Sequence, residues 1–217
     1  DSMFVADPRQ STRSRNYFNP DITVPSLTLN WQINSNTTLN WVVSGVFGNR
    51  NSLQFEGFAD RVDLIDPVTQ QYKTRVVDID VFNSRTSELR LLHQYNTGKI
   101  RHALAAGLRY FNNDLNRRQQ GKGTANSDFD LSVSGPFGRD LRFKSQSIAL
   151  SLENMIYIND RWSISPGMRY EYGQTDMTGT LSYYDPKETP NQIDHQIPAF
   201  GISSQFYLKE NIKIYGG

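Results

Sequence analysis

Residues 148–172 read IALSLENMIYINDRWSISPGMRYEY, and most of the large apolar side chains among them keep to alternate positions. Ile148, Leu150, Leu152, Ile156 and Ile158 share one parity; after Asn159-Asp160-Arg161 the even series resumes with Trp162, Ile164, Met168, Tyr170 and Tyr172. Successive side chains of a strand point to opposite faces, so this stretch is a hairpin with one apolar and one polar face. A helix would need apolar residues at i, i+3, i+4 and i+7 behind a capping residue, and no stretch of two turns in the chain carries that pattern.

The same unit recurs on both sides. Upstream, Leu89, Leu91 and Tyr95 turn at Asn96-Thr97-Gly98-Lys99 into Leu104, Ala106, Leu108 and Tyr110. Further upstream, Leu27, Leu29, Trp31 and Ile33 turn at Asn34-Ser35-Asn36-Thr37 into Leu39, Trp41, Val43 and Phe47. Downstream, Phe200, Ile202, Phe206 and Leu208 turn at Lys209-Glu210-Asn211 into Ile212 and Ile214, where the alternation breaks off as in an element cut part-way along. About eight strands are thus predicted, as an internal piece of a longer protein. The first residues, Asp1-Ser2-Met3-Phe4, lack the basic and apolar regions of a secretion signal.

Short turns alternate with long polar connections over 48–83, 112–141 and 173–196. Structureless loops above about 12–15 residues are uncommon in compact domains. Outer-membrane barrels have this asymmetry, with short periplasmic turns, long extracellular loops and strands that alternate apolar-out with polar-in. A soluble β-sandwich alternates too, but its connections are short at both ends. Charge follows the same parity: Glu88, Arg90, Arg109, Glu153, Arg169 and Glu171 all lie on the polar face of the strands named above. A basic side chain pointing into lipid would cost about 2–4 kcal/mol at mid-membrane. The fold class expected is therefore all-β, an antiparallel transmembrane β-barrel, with those six residues facing its lumen. Trp31, Trp41, Tyr95, Trp162 and Tyr207 near the short turns, and Tyr110, Tyr170 and Tyr172 near the long loops, suit interfacial girdles.

Composition narrows the functions. Of 217 residues, 23 are Lys or Arg and 22 are Asp or Glu, a net charge of +1 that gives no basic footprint for nucleic acid. No cysteine is present, which excludes disulfide frameworks and thiolate chemistry. The mean hydropathy is −0.59, and no window approaches the roughly 18 apolar residues of a membrane-spanning helix. No nucleophile elbow or metal-spaced set of His, Asp and Glu appears, so neither an enzyme nor a cofactor is expected. Gly121-Lys122-Gly123-Thr124 lacks the spacing and the helix of a phosphate loop. His93 and His102 take the apolar parity near a short turn, and His195 falls in a long connection. The segment with most ligand chemistry is 112–122, where Arg117 and Arg118 followed by Gln119 and Gln120 supply many donors for a carboxylate-rich ligand at the mouth of a barrel.

The runs HALAAGLRYFN (102–112), Arg139-Asp140, Glu153-Asn154 and WSISPGMRYE (162–171) resemble the barrel of TonB-dependent outer-membrane receptors. Within that family they are most similar to the ferric citrate receptor group of Bacteroidetes-type bacteria, from about Asn16-Tyr17-Phe18-Asn19-Pro20 onward. The resemblance implies a plugged barrel of about 22 strands, of which residues 1–217 are a middle portion, without the plug, its TonB-contacting box or the closing strand. It also implies a bacterial outer-membrane location, a ferric chelate as substrate, TonB as partner through the plug, and barrel arginines that grip citrate carboxylates, with Arg117 and Arg118 near one of them. A passive porin, or a surface β-protein that binds a partner through long loops, is the alternative.

Overall fold

The computed structural model describes residues 13–58, 61–185 and 191–217. The terminal segment searched for a secretion signal lies outside them. Nine strands form one antiparallel sheet: β1 (Tyr17–Thr23), β2 (Ser26–Asn34), β3 (Thr37–Gln54), β4 (Val76–Thr97), β5 (Ile100–Lys122), β6 (Arg139–Tyr157), β7 (Trp162–Leu181), β8 (Asn191–Lys209) and β9 (Ile212–Gly216). From β3 to β9 each strand pairs with its neighbour in sequence. β1 and β2 share one lane beside β3: Thr23 faces Phe47 and Ser26 faces Ser44 in continuous register, interrupted at Val24-Pro25 where proline has no N–H to give. The nine elements fill eight lanes, and the sheet is open at both edges among the described residues.

The four hairpins turn where the sequence places them. Gly98, at φ +61°, takes the left-handed conformation that a two-residue hairpin turn requires. At the next turn the Asn159 side-chain oxygen accepts from the N–H groups of Arg161 and Trp162, both at 2.9 Å. Successive hairpins are staggered along the ladder. Thr38, one residue above the start of β3, lies in the same row as Leu92, Ala105, Glu153, Gly167 and Gly201, the last of them eight residues short of the end of β8. A stagger of that sense is the shear that tilts strands around a barrel.

One face of the sheet carries an apolar band. Leu29, Trp41, Leu89, Leu108, Leu150 and Tyr170 form one row, and Trp31, Leu39, Leu91, Ala106, Leu152, Met168 and Phe200 the row two residues below. No second layer covers them among the described residues: Leu150 is 55% exposed and Phe200 81%. That rules out the sandwich, which buries this face. From Ile148 to Ile158 the band runs ten residues, about 33 Å along a strand or about 25 Å high once tilted by roughly 40°, the height of an outer-membrane barrel's lipid belt.

The long connections are shorter than the sequence predicts. β3 and β4 extend to Gln54 and from Val76, β5 and β6 to Lys122 and from Arg139, β7 and β8 to Leu181 and from Asn191, so much of 48–83, 112–141 and 173–196 is strand. Beyond the band the outer face no longer meets lipid, so the apolar alternation vanishes while the hydrogen-bond ladder continues. Most of the buried apolar residues also lie at this end. Leu53 and Val77 are fully buried, with Phe55 and Leu141 nearly so.

Candidate functional site

Of the six charged residues of the polar parity, four form two ion pairs, with Arg109 between the pairs and Glu153 below them. Glu88 accepts from Arg90 Nε at 2.7 Å, two residues along β4, and Glu171 accepts from Arg169 at 2.7 Å along β7. Arg109 stands between them: the ladder pairs it with Glu88 on one side and, through Ala149, aligns it with Glu171 on the other. Glu153 sits lower, where it accepts from the Ser165 hydroxyl at 2.5 Å. His195, read as part of a loop, is instead a strand residue paired with Gly173, its Nε2 3.8 Å from Glu171. A Cβ on Gly173 would come within 2.2 Å of the imidazole, so glycine leaves the room in which the ring lies. Only a ladder register, which sequence does not give, links His195 to this cluster.

Toward the long connections the same face carries a second charged group. Asp80 is 1% exposed and is paired with Arg50 of β3 and with Arg117 of β5, the latter at 3.0 Å through Nε; all three occupy one row. Both guanidiniums are more than a third exposed, so each keeps donors free for solvent or ligand. The segment containing Arg117, Arg118, Gln119 and Gln120 is not a loop entrance but the last part of β5. That separates Arg117 from Arg118, which as the next residue points to the opposite face, near Phe137 with its guanidinium 5.5 Å from the ring centre. Gln119 pairs with Arg139. Gln120 adopts φ +59° at a bulge, where Asp78 accepts from its backbone N–H at 2.8 Å. Arg50 and Asp80 lie inside stretches read as loop, and nothing in the sequence pairs them.

Above this group the connections are tied together by Arg15. Its Nε donates to Asp63 at 2.5 Å, and its other donors reach the carbonyls of Lys73, Ala125 and Asn126 at 3.0–3.1 Å. Its guanidinium also lies 4.2 Å from the centre of the Tyr72 ring. Arg75, 1% exposed, donates to the Arg15 carbonyl at 3.1 Å. The planar guanidinium has donors in several directions, which lets one residue hold three segments.

An apolar outer band, a polar and ion-paired inner surface, short turns at one end and an ordered superstructure at the other define the wall of an outer-membrane β-barrel. Comparison with known proteins specifies it further: the family model described as "TonB dependent receptor-like, beta-barrel" matches residues 2–217, and the chain belongs to that family. It is 31% identical over 148 residues to the metal-pseudopaline receptor CntO of Pseudomonas aeruginosa strain UCBPP-PA14, covering 64% of this chain and 19% of that protein. The same receptor from strain PAO1 is 30% identical over 176 residues, covering 75% and 23%. The chain thus spans about a fifth of the length of these relatives. Among solved structures, the unliganded ferric citrate transporter FecA superposes with a TM-score of 0.76 at 23% identity, over 99% of this chain and 29% of that one. The siderophore receptor PiuA from Acinetobacter baumannii gives 0.64 at 16% identity, over 93% and 32%.

Proposed function

We propose that this chain is part of the wall of an active outer-membrane importer for an anionic metal chelate, ferric citrate or a siderophore of similar charge. In this reading residues 1–217 are all barrel, and energy reaches the transporter from TonB through a plug supplied by another part of the protein. Family membership supports the transporter class. The names of the relatives support a metal chelate. The observation that supports an anion is the row Arg50, Asp80 and Arg117: one buried carboxylate fixes two guanidiniums and leaves their remaining donors exposed on the polar face. Below it, Glu88, Arg90, Arg109, Glu153, Arg169 and Glu171 line the lumen.

Charge-assisted hydrogen bonds contribute about 1.5–3 kcal/mol each, roughly tenfold or more in affinity. Arg117→Gln or Arg50→Gln in the full-length receptor is therefore expected to weaken ferric citrate binding by that factor in detergent, while Arg118→Gln, on the other face, leaves it unchanged. Arg117→Lys should restore part of the loss, because it keeps charge without the fork. Equal affinity in all three glutamine variants would remove the row from the binding site. Uptake that persists in cells lacking TonB would favour a passive porin of the same architecture.

A further inference from the structure

Beyond the apolar band, one row of the inner face departs from the rest. This is the face that carries Glu88, Arg109 and Glu171, and three rows further up the ladder it holds Phe82, Leu115, Phe143 and Met177 side by side on β4, β5, β6 and β7. The row beneath is polar on the same four strands, with Ser84 donating to Asn113 at 2.5 Å and Thr175 to Ser145 at 2.9 Å. The row above contains Arg50, Asp80 and Arg117. On the outer face the adjoining row holds Asn83, Asp114, Lys144 and Asp176. Here the apolar side chains are inside and the charges outside, the reverse of the band.

Lipid meets the other face, so it does not explain this row. All four apolar side chains are half-buried, and each keeps surface to offer. The strip they form is one residue tall and spans three strand spacings, about 14 Å at roughly 4.8 Å each. Gly48 on β3 and Asn191 on β8 end it.

The charged row bears on what covers the strip. The Arg50 guanidinium lies 6.0 Å from the centre of the Phe82 ring, and Arg117 follows Leu115 on the same face of β5. Whatever lies on the strip therefore also meets the two guanidiniums and their free donors. One occupant satisfies both surfaces if it has an anionic head and an apolar arm.

We propose that Phe82, Leu115, Phe143 and Met177 seat an acyl chain of the substrate, so that the imported chelate is amphiphilic, with its carboxylates on Arg50 and Arg117. A strip narrow in one direction and long in the other fits a linear chain, which removes apolar surface from water along its whole length. Citrate alone has no apolar group of that length. The inference rests on the reading of Arg50 and Arg117 as the anion site.

The test uses the full-length receptor in amphipol and two ferric chelates of equal charge: a citrate dihydroxamate acetylated on both hydroxamates, and its homologue octanoylated on both. Affinity is read from fluorescence quenching. Wild-type receptor should bind the octanoyl chelate roughly tenfold or more tighter than the acetyl one, a comparison that needs no variant to fold. Phe82→Ser/Phe143→Ser should bring the two affinities within about twofold of each other. Asn83→Ala, on the outer face, should keep the preference, and Arg117→Gln should weaken both chelates by the same factor. Equal wild-type affinity for the two chelates, with both weakened by Arg117→Gln, would overturn the acyl seat and leave the anion site standing; it is the result expected if another part of the protein covers the strip. Binding of both chelates that is indifferent to Arg117→Gln would remove the anion site and the seat with it. A preference that survives in a folded Phe82→Ser/Phe143→Ser variant would place the acyl chain elsewhere and overturn the proposal.

Discussion

Single residues on the lipid-facing band show how a polar group is accommodated there. Trp41 donates its indole N–H to the Ser87 hydroxyl at 2.9 Å, and Trp162 donates to Ser204 at the same distance; each serine is on the adjacent strand, two residues along from the tryptophan's direct partner. In sequence Ser87 and Ser204 simply interrupt the apolar parity; the register shows that they satisfy an indole that lipid cannot. Ser87→Ala should therefore destabilise the barrel by about 1–3 kcal/mol, the cost of an unmet buried donor, and Trp41→Phe/Ser87→Ala by less than the sum of the single changes. Urea unfolding of the full-length receptor in lipid vesicles measures this coupling. Additive effects would show that the hydrogen bond contributes nothing to stability. The arginine pair makes the complementary case. Arg117 and Arg118 are adjacent in the chain, which suggests one joint site in a loop and two opposite faces in a strand, so their roles could be separated only once the strand was known to reach Lys122.

Elements were legible in the sequence only where one of their faces is apolar. Each hairpin turn and the parity of every band strand follow from alternation, because lipid on one side and water on the other give adjacent residues different requirements. Past the band both requirements become the same, and the ends of β3 through β8 read as loop, hiding Arg50, Asp80 and His195. The connection between β3 and β4 contains one tight turn built on Asp66, whose carboxyl accepts from the backbone N–H groups of Thr69 and Val68 at 3.0 and 2.8 Å. Those two bonds, Thr69 foremost, hold its pKa below the ordinary 3.8. A carboxyl lowered in the folded state stabilises the turn above the unfolded pKa and loses that contribution as pH falls through the lowered value. Hydrogen exchange of the peptide covering residues 66–70, corrected for intrinsic rates, should thus show protection at pH 6 that is lost as the pH falls through that lowered value, below 3.8. Asp66→Ala should lack the protection at both values. Unchanged protection in that variant would place the turn's stability in its two backbone bonds, from the Gln70 N–H to the Asp66 carbonyl and from the Asp66 N–H to the Gln71 carbonyl.

At the scale of the whole molecule, the stagger of the hairpins and the two-faced sheet together assign an inside and an outside. Row by row, the turns descend along the ladder from β3 to β8, so the strands must tilt if all the turns are to lie at one membrane surface. The lower edge of the apolar band then descends with the turns, while its upper edge keeps to one row from β2 to β7. This geometry makes a residue's environment depend on both its parity and its distance from the turn. Leu150 and Ile164 share the apolar parity, while Glu153 and Arg169 share the other. Cysteine at each of the four positions in the full-length receptor, which has no native cysteine in this region, should divide accordingly. Leu150→Cys and Ile164→Cys should react with a lipid-phase maleimide and be silent to a membrane-impermeant one. Glu153→Cys and Arg169→Cys should not react from the lipid phase, and their reaction with the impermeant reagent should rise when urea opens the lumen to solvent. Impermeant labelling of Leu150→Cys and Ile164→Cys in the folded receptor would place the apolar band against protein or water and so overturn the assignment of inside and outside.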